Sequence, residues 1–277
     1  MYQNLDRSQR FACSFQTREN QARTARRAFT LIELLIVIAI IALLIGILLP
    51  TVSKAREAGR MVICLSNQRQ IALSMFTYAA DYKVIPGAYW QGPQNLDWSG
   101  KNNANYAANP TRYRHPLQAS VLREYLETVD KILECPTSKR IGNNLFDYTM
   151  LIRMAGARTD VGWKVSYPLN PQTTNSRRAY FVAMPLLIEE HETLYNRSYD
   201  DGSFAWGDQP TARHGRGAAI AYLDGSCGRF MPPPQGNPAV EEPSDMAAIH
   251  MKVHAKDRMF DTHFSAANEW GWVNTPR

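Results

Sequence analysis

The sequence predicts an α+β fold, with one long N-terminal helix packed on a small antiparallel β-sheet head. Three observations predict it. The first is a run of 21 residues, Phe29 to Leu49, that is almost wholly apolar and carries one charge, Glu33. As an α-helix it is about 31 Å long, close to the thickness of a bilayer's hydrocarbon core. The second is a helical pattern that resumes after Pro50 and runs through residues 51–82. On a 3.6-residue wheel, Ile71, Met75, Tyr78 and Tyr82 point within about 40° of the Cys64 direction. Ser66, Arg69, Gln70, Ser74 and Thr77 fall on the other faces. This half is amphipathic and needs a partner for its apolar stripe. The third is Asp224-Gly225 between two alternating runs, which reads as a hairpin whose two turn positions both take positive φ.

The bulk numbers narrow the class. The chain has 277 residues, 45 % of them apolar, enough for a packed domain with appendages and too many for wholesale disorder. The formal charge of +6 is unevenly placed: residues 1–28 hold six Arg against Asp6 and Glu19, leaving +2 for the rest. The basic balance therefore belongs to the head of the chain and does not indicate nucleic-acid binding. Of the four cysteines, Cys13, Cys64, Cys135 and Cys227, no two form a C-x-x-C pair. A zinc site built on such pairs is not supported. If the first 28 residues are removed, three cysteines remain. They allow either one disulfide with a free thiol or three unpaired thiols.

The apolar run is too long for the core of a cleaved secretory signal, and no A-x-A-like site follows it. A plain membrane anchor fits its length but gives Glu33 no role, since a carboxylate in lipid costs a few kcal/mol even on the cheaper scales. Further on, Pro50 is expected to kink the helix and Pro86-Gly87 to end it. Residues 87–116 read as a long surface loop and Leu117 to Leu126 as a short helix. Ile132–Lys139, "ILECPTSK", reads as a strand end with a turn, and Asn170 to Arg177 as polar loop. Ala179–Glu190, "AYFVAMPLLIEE", reads as a buried strand interrupted by Pro185. Trp90, Trp98, Trp163 and Trp206 are read as core side chains. The segments are 1–28, a basic leader; 29–49, a transmembrane helix; 50–86, its amphipathic continuation; 87–234, the head; and 235–277, a polar tail.

Arg26-Arg27-Ala28-Phe29-Thr30-Leu31-Ile32-Glu33-Leu34-Leu35 resembles the type IV prepilin signal. Pro50 matches a proline common at the end of that family's apolar stretch. The segment Cys64 to Tyr82 resembles the pseudopilin-like group. His214, nine residues, then Asp224-Gly225 resembles the H-x(9)-D-G element of a large pseudopilin-like family. The fold is thus expected to be pilin-like. The resemblance implies that a prepilin peptidase cuts between Ala28, which stands where the family usually has Gly, and Phe29, and methylates the new amino terminus. It implies that Glu33 pairs with the Phe29 ammonium of a neighbouring subunit, since a buried charge is tolerable when paired. It also implies a Cys64–Cys135 disulfide, because both occur where family-like segments place cysteines. Implied partners are the peptidase, other pilin-like subunits and an inner-membrane assembly platform. The implied location is the inner membrane, single-pass, with the head in the periplasm or on the cell surface.

No catalytic signature is present: no G-x-S-x-G, H-E-x-x-H or Walker loop occurs. No enzymatic activity and no cofactor are expected. His214 and Asp224 form either a structural pair at the hairpin or a ligand-binding pair. His250 and His254, at i, i+4 spacing, are expected to be solvent-exposed. Asp200-Asp201-Gly202-Ser203 with Asp208 is an oxygen-rich stretch, and the resemblance makes calcium the ion to test there, although EF-hand spacing is absent. The expected function is a structural subunit of a type II secretion or type IV pilus-like filament. The alternative is a membrane-anchored periplasmic or surface domain that binds or hydrolyses a ligand and never polymerises. The sequence identifies neither a small-molecule ligand nor a secreted cargo.

Overall fold

The computed structural model describes residues 29–88, 97–101, 103–126, 131–138, 145–166, 181–191, 202–205, 207–215, 217–231, 248, 251–255 and 258–260. The chain divides into two compact units, Met1–Pro50 and Thr51–Arg277. Helix α1 spans Leu31–Tyr82, with Pro50 inside it. In the first unit its stretch is long and apolar enough to cross a membrane, with mean hydropathy 3.2.

In the second unit α1 buries Cys64, Gln68, Ile71, Ala72, Ser74, Met75, Tyr78 and Ala79. The apolar stripe lies where the wheel puts it, with three differences. Ser74 is buried and satisfies its hydroxyl by donating to the Ile71 carbonyl at 2.7 Å. Gln68 is buried because its Nε2 donates to the Ala219 carbonyl at 2.8 Å. Tyr82 is 45 % exposed, at the last residue of the helix. The helix ends before Pro86-Gly87: Lys83 takes φ 67° and its N–H donates to the Ala79 carbonyl. That is a left-handed C-terminal cap occupied by a lysine rather than a glycine.

The head is built on a five-stranded sheet, β4-β1-β3-β5-β6, from β1 (Tyr148–Leu151), β3 (Pro185–Glu189), β4 (Ser203–Phe204), β5 (Ala218–Tyr222) and β6 (Cys227–Phe230). Pairing is antiparallel except between β1 and β4. Strands β1, β3 and β5 are buried at every position, as their continuous apolar runs require. Pro185 does not interrupt a strand; it opens β3, a position where its missing N–H is tolerated. A second sheet, β2-β7-β8, joins β2 (Trp163–Ser166) to β7 (Lys252–Ala255) and β8 (Arg258–Phe260). Part of the polar tail is therefore sheet.

The middle of the chain departs from the sequence reading. Residues 87–116 are not all surface loop: Trp98 is fully buried, its Nε1 donating to the Gly202 carbonyl, and helix α2 spans Ala104–Ala108. Leu117 to Leu126 is not one helix but two 3₁₀ turns, Pro116–Ala119 and Arg123–Tyr125. Ser120 separates them in extended conformation, its hydroxyl bonded to the Trp98 carbonyl and accepting from Leu122 N–H. Ile132 and Leu133 are buried in a turn, not a strand. Trp163 is buried as expected, while Trp90, Trp206 and Asn170 to Arg177 lie outside the described residues.

Candidate functional site

Two regions carry the residues singled out by sequence. The first is the start of α1. Thr30 precedes the helix, and Glu33 lies in its first turn. The Glu33 carboxylate accepts from Thr30 N–H at 2.9 Å and from Thr30 Oγ1 at 2.8 Å, while Glu33 N–H donates back to Thr30 Oγ1 at 3.2 Å. This reciprocal arrangement is a capping box, and it satisfies amide donors that a helix start leaves open. The spacing Thr-x-x-Glu was legible in the sequence. Glu33 therefore has a local partner within its own chain. Ala28 lies outside the described residues, and Phe29 is 71 % exposed.

The second region is a buried polar cluster in the head. Four segments build it: the outer half of α1 brings Cys64, the turn at 131–138 brings Cys135, the end of β3 brings Glu189, and the loop before β5 brings His214. All four are buried, and their ligand-type atoms lie within 4.8 Å of one another. The Cys64 and Cys135 sulfurs are 3.0 Å apart, as two thiols. Cys135 Sγ is 3.4 Å from His214 Nε2, which is 3.2 Å from Glu189 Oε1. On the other side of the ring, His214 Nδ1 is 2.8 Å from Glu57 Oε1.

An outer layer holds these groups in place. Glu189 Oε2 accepts from Ala219 N–H at 3.0 Å, and its Oε1 is 3.2 Å from Arg213 Nη2. Arg213 also reaches Asp147 Oδ1 at 3.4 Å and donates to the Glu190 carbonyl at 2.8 Å. Asp147 Oδ2 in turn accepts from Cys135 N–H at 2.7 Å, fixing the turn that carries the thiol.

The electrostatics follow from this packing. Burial works against a charged His214, but the contacts to Cys135 and Glu189 outweigh it and raise the imidazole to about 10. Burial likewise opposes a charged Glu189, and His214 and Arg213 outweigh it, holding the carboxyl below its usual range. The bond to Cys64, followed by burial, pushes the Cys135 thiol far up.

His214 and Asp224 are not a pair. They stand at opposite ends of β5: His214 precedes it in the buried cluster, whereas Asp224 follows it in an exposed turn. There Asp224 Oδ1 accepts from Ser226 N–H at 2.9 Å and Ser226 Oγ at 2.6 Å. The hairpin exists, but the turn chemistry differs from expectation. Gly225 alone takes positive φ, 84°, with Gly225 N–H donating to the Tyr222 carbonyl and Tyr222 N–H to the Ser226 carbonyl. That is the three-residue loop with a left-handed glycine, in which Asp224 needs no unusual backbone.

Glu57 and Glu189 were not foreseen. Glu189 carried a signal, a carboxylate at the end of the apolar run "PLLIE" with nothing to keep it in water. Glu57 carried none, being one of several charges on the helix. Of the oxygen-rich stretch, Asp200 and Asp201 lie outside the described residues, Ser203 is buried in β4, and Asp208 Oδ2 accepts from Ala205 N–H at 2.7 Å. His254 sits in β7, half-buried, and His250 lies outside the described residues.

Comparison with known families agrees with the first region. Residues 23–49 match the model of the prokaryotic N-terminal methylation motif. Residues 53–150 match the model of a family described as a protein of unknown function, DUF1559. No curated protein and no solved structure matches the chain. The motif spans Arg23 to Leu49 and so includes Ala28, Phe29 and Glu33. It indicates a chain that a prepilin peptidase processes, and with the long helix and small, mostly antiparallel sheet the arrangement is pilin-like.

Proposed function

We propose that this pilin-like chain is a structural subunit of a type II secretion or type IV pilus-like filament. Prepilin peptidase cuts it between Ala28 and Phe29 and methylates Phe29. The observation that carries this reading is the N-terminal methylation motif on an apolar helix long enough to cross a membrane. The large apolar side chains from Phe29 to Leu49 are exposed by 44 % to 78 %. Exposed apolar surface on this scale needs lipid or other helices around it. A subunit that leaves the inner membrane to join a bundle of like helices has both in turn.

The work of such a subunit is mechanical, and we assign it no reaction of its own. The head faces the periplasm or the cell surface. Glu189 and His214, the buried titratable pair of the head, are 0 % and 2 % exposed.

Intact-mass spectrometry of the membrane protein tests the processing. The expected species begins at an N-methylated Phe29, and a mature chain still starting at Met1 would overturn the reading. Assembly is tested separately with a photocrosslinking residue at Ile36, in cells that carry the secretion or pilus machinery. Crosslinks to other apolar N-terminal helices are expected. Their absence would leave an anchored, non-polymerising domain.

A further inference from the structure

We propose that Cys64, Cys135, Glu189 and His214 together hold one divalent metal ion of the zinc class, in a closed site that staples the outer half of α1 to the head.

The donor set is the first support. Two thiols, an imidazole nitrogen and a carboxylate oxygen are the groups that bind such an ion, and four protein ligands with no open position mark a structural site. A tetrahedral ion with bonds of about 2.0–2.3 Å asks for ligand atoms roughly 3.3–3.8 Å apart. The observed contacts of 3.0, 3.4 and 3.2 Å, all within a 4.8 Å cluster, need only small side-chain adjustments to meet that.

The second shell is the next support. Metal-ligating histidines use their other ring nitrogen on a carboxylate, which fixes tautomer and ring orientation. Glu57 Oε1 occupies that place, 2.8 Å from His214 Nδ1, and directs Nε2 at the sulfurs. Ala219 N–H holds the second oxygen of Glu189, leaving Oε1 for the ion. Two thiolates and a carboxylate exceed the charge of a divalent ion by one. The Arg213 guanidinium, 3.2 Å from Glu189 Oε1, offsets that excess.

Rival explanations use fewer of these groups. An ion-pair cluster of Glu189, His214 and Arg213 gives the two buried thiols no task, since thiols are weak hydrogen-bonding groups. A Cys64–Cys135 disulfide keeps the His214–Glu189 pair but gives no reason for His214 Nε2 to sit 3.4 Å from the Cys135 sulfur. The ligands come from four separate segments, so no cysteine spacing motif announces the site. A surface hollow of about 420 Å³, lined by residues including Ile63, Asn67 and Lys131, borders one of the four ligands, Cys135. The inference does not depend on whether the chain polymerises.

The test uses the full chain, solubilised from membranes in detergent without reductant. Elemental analysis is expected to find about one zinc per chain, with Cys64 and Cys135 alkylated only after chelation. Replacing zinc with cobalt(II) is expected to give the visible bands of a tetrahedral site and a sulfur-to-cobalt charge-transfer band. Glu57→Gln should keep those bands and weaken cobalt binding about 10- to 100-fold, as loss of an outer-shell partner does. His214→Ala should lose the tetrahedral spectrum and His214→Cys should restore one. Circular dichroism identifies any variant that fails to fold, and the Glu57→Gln arm decides in that case. A Cys64–Cys135 disulfide without bound metal, or free thiols that bind neither zinc nor cobalt, would overturn the proposal.

Discussion

Asp224 receives both of its side-chain hydrogen bonds through one oxygen, from the hydroxyl and the backbone N–H of Ser226. In that order these bonds hold its carboxyl below the usual range, against a small opposing effect of burial. A depressed carboxylate adds stability above its unfolded value, about 3.9, and loses it as pH falls through the lower folded value. An asparagine amide oxygen accepts the same two bonds without titrating. Asp224→Asn is therefore expected to melt within about 0.5 kcal/mol of the parent at pH 7, the range of an ordinary surface change. Below about pH 4 the parent should lose ground to the variant. A variant destabilised by more than that at neutral pH would show that the charge itself holds the turn. Glu33 separates two roles in a similar way. Glu33→Gln keeps an acceptor for the capping box and removes the charge, whereas Glu33→Ala removes both. Both are expected to insert in the membrane, and both to fail in assembly if the charge pairs between subunits. Filaments of Glu33→Gln with unchanged subunit spacing would reduce Glu33 to a helix cap. Thr30-x-x-Glu33 and Asp224-Gly225 were legible as local signals. The company His214 keeps was not, because Glu57, Cys135 and Glu189 reach it from other segments.

Helix α1 shows how far an element is legible and where it stops. Periodicity placed Cys64, Ile71, Met75 and Tyr78 on one face, since apolar burial follows the helical repeat. It misplaced Ser74 and omitted Gln68, whose burial depends on one acceptor each, the Ile71 and Ala219 carbonyls. Polar residues become internal when a partner exists, and a wheel does not show partners. The tail strand was legible but missed. Met251, Val253 and Ala255 are buried and alternate with Lys252 and His254, the two-residue period of a strand. The helix end offers a test. Lys83 holds φ 67°, a conformation that costs an L-residue about 1–2 kcal/mol and glycine little. Its Nζ recovers part by donating to the Ala80 carbonyl at 2.6 Å. Lys83→Gly is expected to raise stability by roughly 0.5–1 kcal/mol, net of glycine's extra freedom when unfolded. Denaturant midpoints check it, and a loss of stability would mean that the lysine's own contacts dominate.

In the whole molecule, Arg213 ties together groups from three segments. It meets Asp147, Glu189 and the Glu190 carbonyl, with its side chain 8 % exposed. Arg213→Met keeps the bulk and takes this cation away from Asp147 and from Glu189, which keeps His214 beside it. The expected cost is about 3–5 kcal/mol, the range seen when one partner of a buried pair is removed. Urea unfolding of the detergent-solubilised chain measures it, and a cost below about 1 kcal/mol would show that these carboxylates reach water. The same cluster is expected to slow the folding of the head. Glu57 and His214 are 157 residues apart in sequence, Gln68 and Ala219 151, and Cys64 and Cys135 71. Long loops must close before such contacts return any free energy, and chains ruled by distant pairings fold slowly. The outer half of α1 is synthesised first, yet its buried face waits for β3, the following loop and β5 to arrive. Until then Ile71, Met75 and Tyr78 stand open to any passing apolar surface, and an emerging chain in that state is a substrate for chaperones and proteases.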